Sequence, residues 1–335
     1  MPEVSFFLVT IVVFAIAFDF INGFHDTANA VATVIATRVL SPRAAILMSG
    51  CLNLVGAMVA TKVAVTISSG IVDPNLATQT LVLSAIIGAI VWNLITWFYG
   101  IPSSSSHALV GGLCGAAIAK GGLSLVLWHG VLTKVVIPLV ISPLAGFLIG
   151  LILMSLITIF FAKAKTKSVS TLFKRLQLLS SAFMSFAHGQ NDGQKSMGII
   201  TLALITNHLL PAHAQPPFWV KLSCAVAMGL GTASGGFRII KTMGHKILRL
   251  EPVQGFAAET SGAAVILTAS SLGATVSTTH VIAGSVFGVG AARRLSAVRW
   301  QVAINMVTAW VVTLPSSGLV AALVYLFLNA CGVKS

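Results

Sequence analysis

The 335-residue chain is 56% hydrophobic and only 8% charged, with a mean hydropathy of +0.97. Soluble domains carry about 25% charged residues, so an ordinary soluble globule is excluded. The formal net charge of +13 is distributed in short basic clusters between apolar runs, which excludes a basic nucleic-acid-binding domain or tail.

The first apolar segment runs over about 4–37 and carries GFHDTANA, starting at Gly23, in its second half. Glu3 and the lack of a basic leader argue against a cleaved signal peptide. Apolar segments follow at about 44–66 and 76–100, then a short one at 103–121 led by IPSSSSH, then 128–162. The basic stretch 163–175 reads as a cytoplasmic linker. The second half has segments at about 176–206, holding HGQNDGQKS from His188, and at 218–240 and 253–275. A short segment at 277–292 is led by STTH, and 300–328 is the last. Apolar runs of about 18 or more residues read as membrane spans, so the expected fold is an all-α polytopic membrane protein. Cys51, Cys114, Cys224 and Cys331 lack metal-ligand spacing and read as packing residues.

Four loops hold most of the basic residues: Arg38 with Arg43, the 163–175 stretch, Arg238 to Arg249, and Arg293 to Arg299. Placing all four in the cytoplasm puts both termini outside. Asp26 and Asp192 lie 166 positions apart, and SSSH at Ser104–His107 precedes STTH at Ser277–His280 by 173. Gly111 and Gly115 recur as Gly284 and Gly288 at that same offset. Each half has an odd number of segments, so the expected halves are inverted repeats. They cover 1–162, with a helical hairpin near 101–121, and 176–335, with a hairpin near 275–292. Inverted repeats with interrupted helices are typical of transporters, whose site lies near the midplane.

Carboxylates in hydrocarbon cost about 2.5–3.5 kcal/mol each on insertion scales. Asp19, Asp26, Asp192 and Glu259 all fall inside apolar segments. Internal pairing accounts for such acids, as does cation coordination or proton carriage. The recurrence of Asp26 and Asp192 favours the second role. Gly23 and Gly189, three residues earlier, are expected to unwind their helices and free backbone groups for ions. Asn22, Thr27 and Asn29, with Asn191, Gln194 and Ser196, supply neutral donors and acceptors, or simple interhelical hydrogen bonds. Pro102 and the serines after it predict a hairpin tip before a helix beginning near His107. Ser277–Thr279 repeat that pattern. Two hydroxyl-rich helix N-termini facing each other suit a tetrahedral oxyanion. Lys195 adds one positive charge near Asp192, as a substrate ligand or as an internal ion pair. His25, His107, His188 and His280 border these motifs and can relay protons.

GFHDTANAVATVI, WNLITWFYGIPSSSSHALVGG, HGQNDGQKSMGI and GFAAETSGAAVILTASSLGATVSTTHVIAGSVFGVG resemble the inorganic phosphate transporter (Pit) family, above all its bacterial low-affinity branch. The resemblance covers nearly the whole chain. It implies secondary active phosphate uptake across the plasma (inner) membrane by an inverted-repeat fold with broken helices and two hairpins. By position, Asp26, Asn29, Asn191 and Asp192 match the family's GANDVAN-type signatures, and Ser104–Ser106 and Ser277–Thr279 match its hairpin tips. His25 stands where that signature has Asn. In the second copy, Gln194 and Lys195 stand where it has Ala and Asn.

The expected substrate ligands are Ser104, Ser105, Ser106, Ser277, Thr278, Thr279, Asn29, Gln194 and Lys195. Asp26, Asp192, Asn191, His25 and Glu259 are expected to serve the coupling ion. Family members couple to sodium or, in the bacterial branch, to protons with phosphate or metal–phosphate as cargo. The exchange of Asn for His and Lys favours protons. The expected protein is a proton-coupled phosphate symporter, with a sodium-coupled phosphate symporter or a sulfate permease as the alternatives. Its expected partners are inorganic phosphate, the coupling cation, the lipid bilayer and a second copy of the chain. No enzymatic activity, cofactor, resident metal or nucleic acid is expected. A hydrolase built on Ser106 and His107 lacks a GxSxG elbow. A passive anion channel would show uptake that no cation gradient drives uphill.

Overall fold

Long apolar runs with few helix breakers make long helices, and the computed structural model, which describes residues 6–247 and 249–333, is all-helical. The first half comprises α1 (Phe6–Ala36), α2 (Pro42–Val59), α3 (Lys62–Ser69), α4 (Gln79–Tyr99), α5 (Ser105–Gly121), α6 (Trp128–Val131) and α7 (Ile137–Phe160). A π-helical turn, Leu132–Val136, joins α6 to α7. The second half comprises α8 (Thr166–Asp192), α9 (Gln194–Thr206), α10 (Phe218–Ser234), α11 (Phe237–Lys241), α12 (Pro252–Ser271), α13 (Thr278–Arg293) and α14 (Trp300–Ala330). Among the described residues, five helical stretches are long and apolar enough to cross a membrane: α1, α2, α4, Trp128–Phe160 and α14. Leu144, Leu148 and Ile152 on α7, with Val311, Leu319 and Leu323 on α14, remain exposed, as a lipid-facing surface requires.

Three expectations change. The stretch 163–175 is a linker only to Lys165; from Thr166 it is the first turns of α8. No Gly or Pro falls between Lys163 and His188, so nothing stops the helix from extending into water. The segments near 101–121 and 275–292 are each one arm of a hairpin. The other arms are α4 and α12, and the tips lie at 100–104 and 272–277. Gly100 makes the first reversal at φ +65°, a left-handed conformation open to glycine.

The expected unwinding at Gly23 and Gly189 does not occur. α1 passes through Gly23 unbroken, and the interruption in the second half falls at Gly193, between α8 and α9. Both glycines serve close packing instead. A Cβ on Gly23 would lie 2.6 Å from Met228 O of α10. One on Gly189 would collide with Asn53 O of α2.

The packing pairs are interchangeable between halves. Exchanging α1 for α8–α9, α2 for α10, α4 for α12, α5 for α13 and α7 for α14 maps the contacts onto themselves: α1–α10 becomes α8–α2, and α5–α14 becomes α13–α7. The repeated glycines make this possible. Gly111 and Gly115 of α5 abut Leu314 O and Gly318 of α14, while Gly284 and Gly288 of α13 abut Pro143 O and Phe147 O of α7. Small residues that let backbones touch are the main packing device of membrane helices.

The apolar core splits into two clusters with a polar layer between them. α1 gives Leu8–Phe18 to one cluster and Ala28–Val34 to the other; the α8–α9 chain gives Met184 and Ala187 to the second and Met197–Leu204 to the first. Between them lie Asp19–Thr27 and His188–Ser196. Gly115→Ala is expected to force α5 off α14 at an overpacking cost of about 1–3 kcal/mol. Thermal unfolding in detergent should register this loss. The lipid-exposed Ile118→Ala should stay within about 0.5 kcal/mol of the wild type.

Candidate functional site

α1 and α8–α9 carry the acids into the polar layer, and the two hairpin tips close over them. Ser104 and Ser277 cap α5 and α13, each accepting from the backbone N–H of the histidine three residues on at 3.3 Å. Each helix therefore begins within one or two residues of the predicted place. The tips touch: Ser106 Oγ donates to Val276 O at 3.0 Å. Asp26, Asp192, Lys195, Ser104–Ser106 and Ser277–Thr279 are all buried, at most 2% exposed. Together they form a polar site closed to solvent between the two tips.

Its two halves match residue for residue. Ser105 Oγ donates to Asp26 Oδ2 at short range, and Thr278 Oγ1 donates to Asp192 Oδ2 at 3.2 Å. On the other carboxylate oxygens, His25 Nδ1 lies 2.7 Å from Asp26 Oδ1, and Asn191 Nδ2 donates to Asp192 Oδ1 at 2.7 Å. Behind these, His25 Nε2 meets Thr96 Oγ1 at 3.0 Å, and Asn191 Oδ1 accepts from Ser270 Oγ at 3.0 Å. The residue three positions after each acid crosses to the other half. Asn29 Nδ2 donates to Thr278 Oγ1 at 3.1 Å and Thr279 Oγ1 at 2.9 Å. Lys195 Nζ donates to Ser105 Oγ at 3.3 Å while pairing with Asp192 Oδ2 at 3.0 Å.

The electrostatics are severe. An oxygen of Asp26, an oxygen of Asp192 and a ring nitrogen of His188 all lie within 4.8 Å of one another. Two carboxylate charges that close repel by at least about 3 kcal/mol even at an effective dielectric of 20. Lys195 relieves this from within. His188 adds a contact of 3.3 Å from Nε2 to Asp192 Oδ2, its Nδ1 lying 2.7 Å from Asn53 Oδ1. Asp26, Asp192 and His188 could together hold a cation, although no sequence motif gave metal-ligand spacing. The Lys195 ammonium already occupies Asp192, which disfavours a resident divalent ion there.

Most of the predicted residues meet here, but not all. Gln194 is buried away from the tips: its Oε1 accepts from Val63 N at 2.9 Å and Ala64 N at 3.3 Å, capping α3, and its Nε2 donates to Gln190 O. Glu259 forms a separate cluster, accepting from Thr33 Oγ1, Gln177 Nε2 and Ser180 Oγ. Thr27 bonds back to Gly23 O. Ser106 faces Val276 O, whereas the His107 ring stacks on His280 at 5.0 Å and its nitrogens have no hydrogen-bond partner. Ser106 and His107 therefore form no dyad. The sequence reading assigned no site role to Asn53, Thr96 and Ser270, single polar residues on α2, α4 and α12. Their one signal is a lone hydroxyl or amide within an apolar segment.

Paired carboxylates and paired hydroxyl tips, buried together within a bundle of long apolar helices, are features of the membrane-transporter class. The sequence profile of the phosphate transporter family matches residues 22–321. A relative in Bacillus subtilis, described as a probable low-affinity inorganic phosphate transporter, is 48% identical over 96% of this chain and 97% of its own length. One from Mycobacterium tuberculosis, of the same description, is 50% identical over 96% of this chain and 77% of its own. A solved structure described as the sodium-dependent phosphate transporter superposes with a TM-score of 0.90 at 28% identity, covering 97% of this chain and all of that one. The chain belongs to the phosphate transporter family.

Asp192→Asn should leave Lys195 a buried cation without its partner, a loss of about 3–5 kcal/mol in thermal unfolding. Asp192→Asn combined with Lys195→Met should recover much of that stability. Equal instability of the single and double variants would show that the pair is not coupled.

Proposed function

We propose that the protein is a phosphate importer of the plasma membrane that couples uptake to protons, with Asp26 and His25 as the proton-carrying pair. The single observation that supports this best is the meeting of two hydroxyl tips directly over two buried carboxylates. A tetrahedral oxyanion needs many donors, and Ser104–Ser106, Ser277–Thr279, Asn29 and Lys195 provide them around one chamber. Carboxylates as near neighbours discriminate by proton content. Phosphate carries a proton near neutral pH and can donate it to Asp26 or Asp192; sulfate cannot, and would meet only repulsion. This favours phosphate over sulfate.

His25 favours protons over sodium. It bridges Asp26 to Thr96, and Ser103 Oγ donates to Thr96 Oγ1 at 2.8 Å. A proton can therefore lie on either ring nitrogen without a new contact. Thr96 also lines a cleft of about 590 Å³ with Gly100, Pro102, Thr242 and Met306, so this chain of groups leads from the chamber toward the surface. The interchangeable packing of the halves supports an inverted repeat. In such a repeat, rocking one set of helices against the other exposes the chamber to each side in turn.

The purified protein in proteoliposomes should accumulate labelled phosphate when the outside is acid and sodium is absent. Excess sulfate should not compete. Accumulation that follows only a sodium gradient would overturn the proton assignment. His25→Asn, which copies Asn191 into the first half, should still equilibrate phosphate but lose its concentration by the pH gradient. Ser105→Ala removes a charge-assisted hydrogen bond and should slow uptake by about 10–100-fold.

A further inference from the structure

The two halves of the chamber differ at few positions, and one difference changes the charge. The residue three positions after each acid is neutral in the first half, Asn29, and cationic in the second, Lys195. They do equivalent work. Each crosses to the opposite hairpin tip and donates to the hydroxyl that bonds the other half's acid. In one respect they are opposites. Asn29 Oδ1 is buried with no hydrogen-bond partner, an open acceptor on the same helix face as Asp26. Lys195 offers no acceptor; its ammonium lies 3.0 Å from Asp192 Oδ2 and reaches Ser105, itself bonded to Asp26.

We infer that Lys195 is a tethered cation occupying one of two symmetry-related cation stations, so that this protein needs one fewer mobile cation per phosphate than a chain with Asn at that position. The inference rests on the phosphate reading above and adds the count of coupling ions to it. Its physical basis is a charge difference. Replacing Lys195 by Asn makes the buried chamber one unit more negative. A phosphate can then enter it only with one further positive charge from solution. Asp192, Thr278 and the introduced amide would present oxygens to that ion, the ligand set that suits a small hard cation such as sodium. The first station, with Asp26 and the unpartnered Asn29 Oδ1, remains for the ion that is carried.

The test is phosphate uptake in proteoliposomes with and without sodium, on the wild type, Lys195→Asn and Lys195→Arg. Wild-type uptake should be indifferent to sodium. Lys195→Asn should become sodium-stimulated by about tenfold or more, a typical coupling between two bound ligands. Lys195→Arg keeps the fixed charge and should remain sodium-independent at whatever rate it retains. A folded Lys195→Asn that transports without sodium at the wild-type rate overturns the inference, as does one that no added sodium activates. Should Lys195→Asn fail to fold, the wild type decides: sodium that raises its phosphate uptake would mean that both stations are open to mobile ions. Absence of phosphate uptake by the wild type would instead count against the phosphate reading itself.

Discussion

Two carboxylates held within 4.8 Å of each other in a buried chamber set the terms for the rest of this structure. Neither can be left unpaired in a low-dielectric site, and like charges at that distance repel. The neighbours answer that demand. One oxygen of each acid takes a hydroxyl from a hairpin tip, the other takes a nitrogen from the preceding residue, and Lys195 pairs with Asp192. The hairpins fold inward because the hydroxyls must reach the acids.

The same contacts divide the bundle into firm and yielding surfaces. α5 lies on α14, and α13 on α7, through glycines whose backbones touch the facing helix. The tips, by contrast, are joined to α1 and α8–α9 by side-chain hydrogen bonds across the chamber. Such bonds exchange readily with a polyatomic anion rich in acceptors or with water, whereas glycine backbone contacts have no substitute.

Several elements of this design were legible in the sequence, for reasons specific to each. Acids inside apolar runs are costly enough to announce themselves, and their repetition with SSSH and STTH marked both the tips and the two halves. The roles of the glycines were misread. Gly23 and Gly189 looked like points of unwinding, but a glycine that lets two backbones meet has the same local signature as one that breaks a helix. Gln194 belonged to the motif by position, yet its amide turns to the start of α3, which ends the preceding apolar run at a place no turn residue marked. Asn53, Thr96 and Ser270 were invisible because each acts through a helix distant in sequence.

The sequence by itself determined the solvent, the helical class, the family resemblance and the identity of the acids and hydroxyls. All of these follow from composition and short-range order along the chain. Only the tertiary structure decided which groups share a charge. That Lys195 also reaches the Ser105 tip, that Asn29 is its counterpart, and that Glu259 stands apart with Thr33, Gln177 and Ser180 depend on contacts about 80–250 positions apart. Electrostatic energy in a buried site varies with distances of a few ångströms, and linear order does not fix those distances until the helices pack.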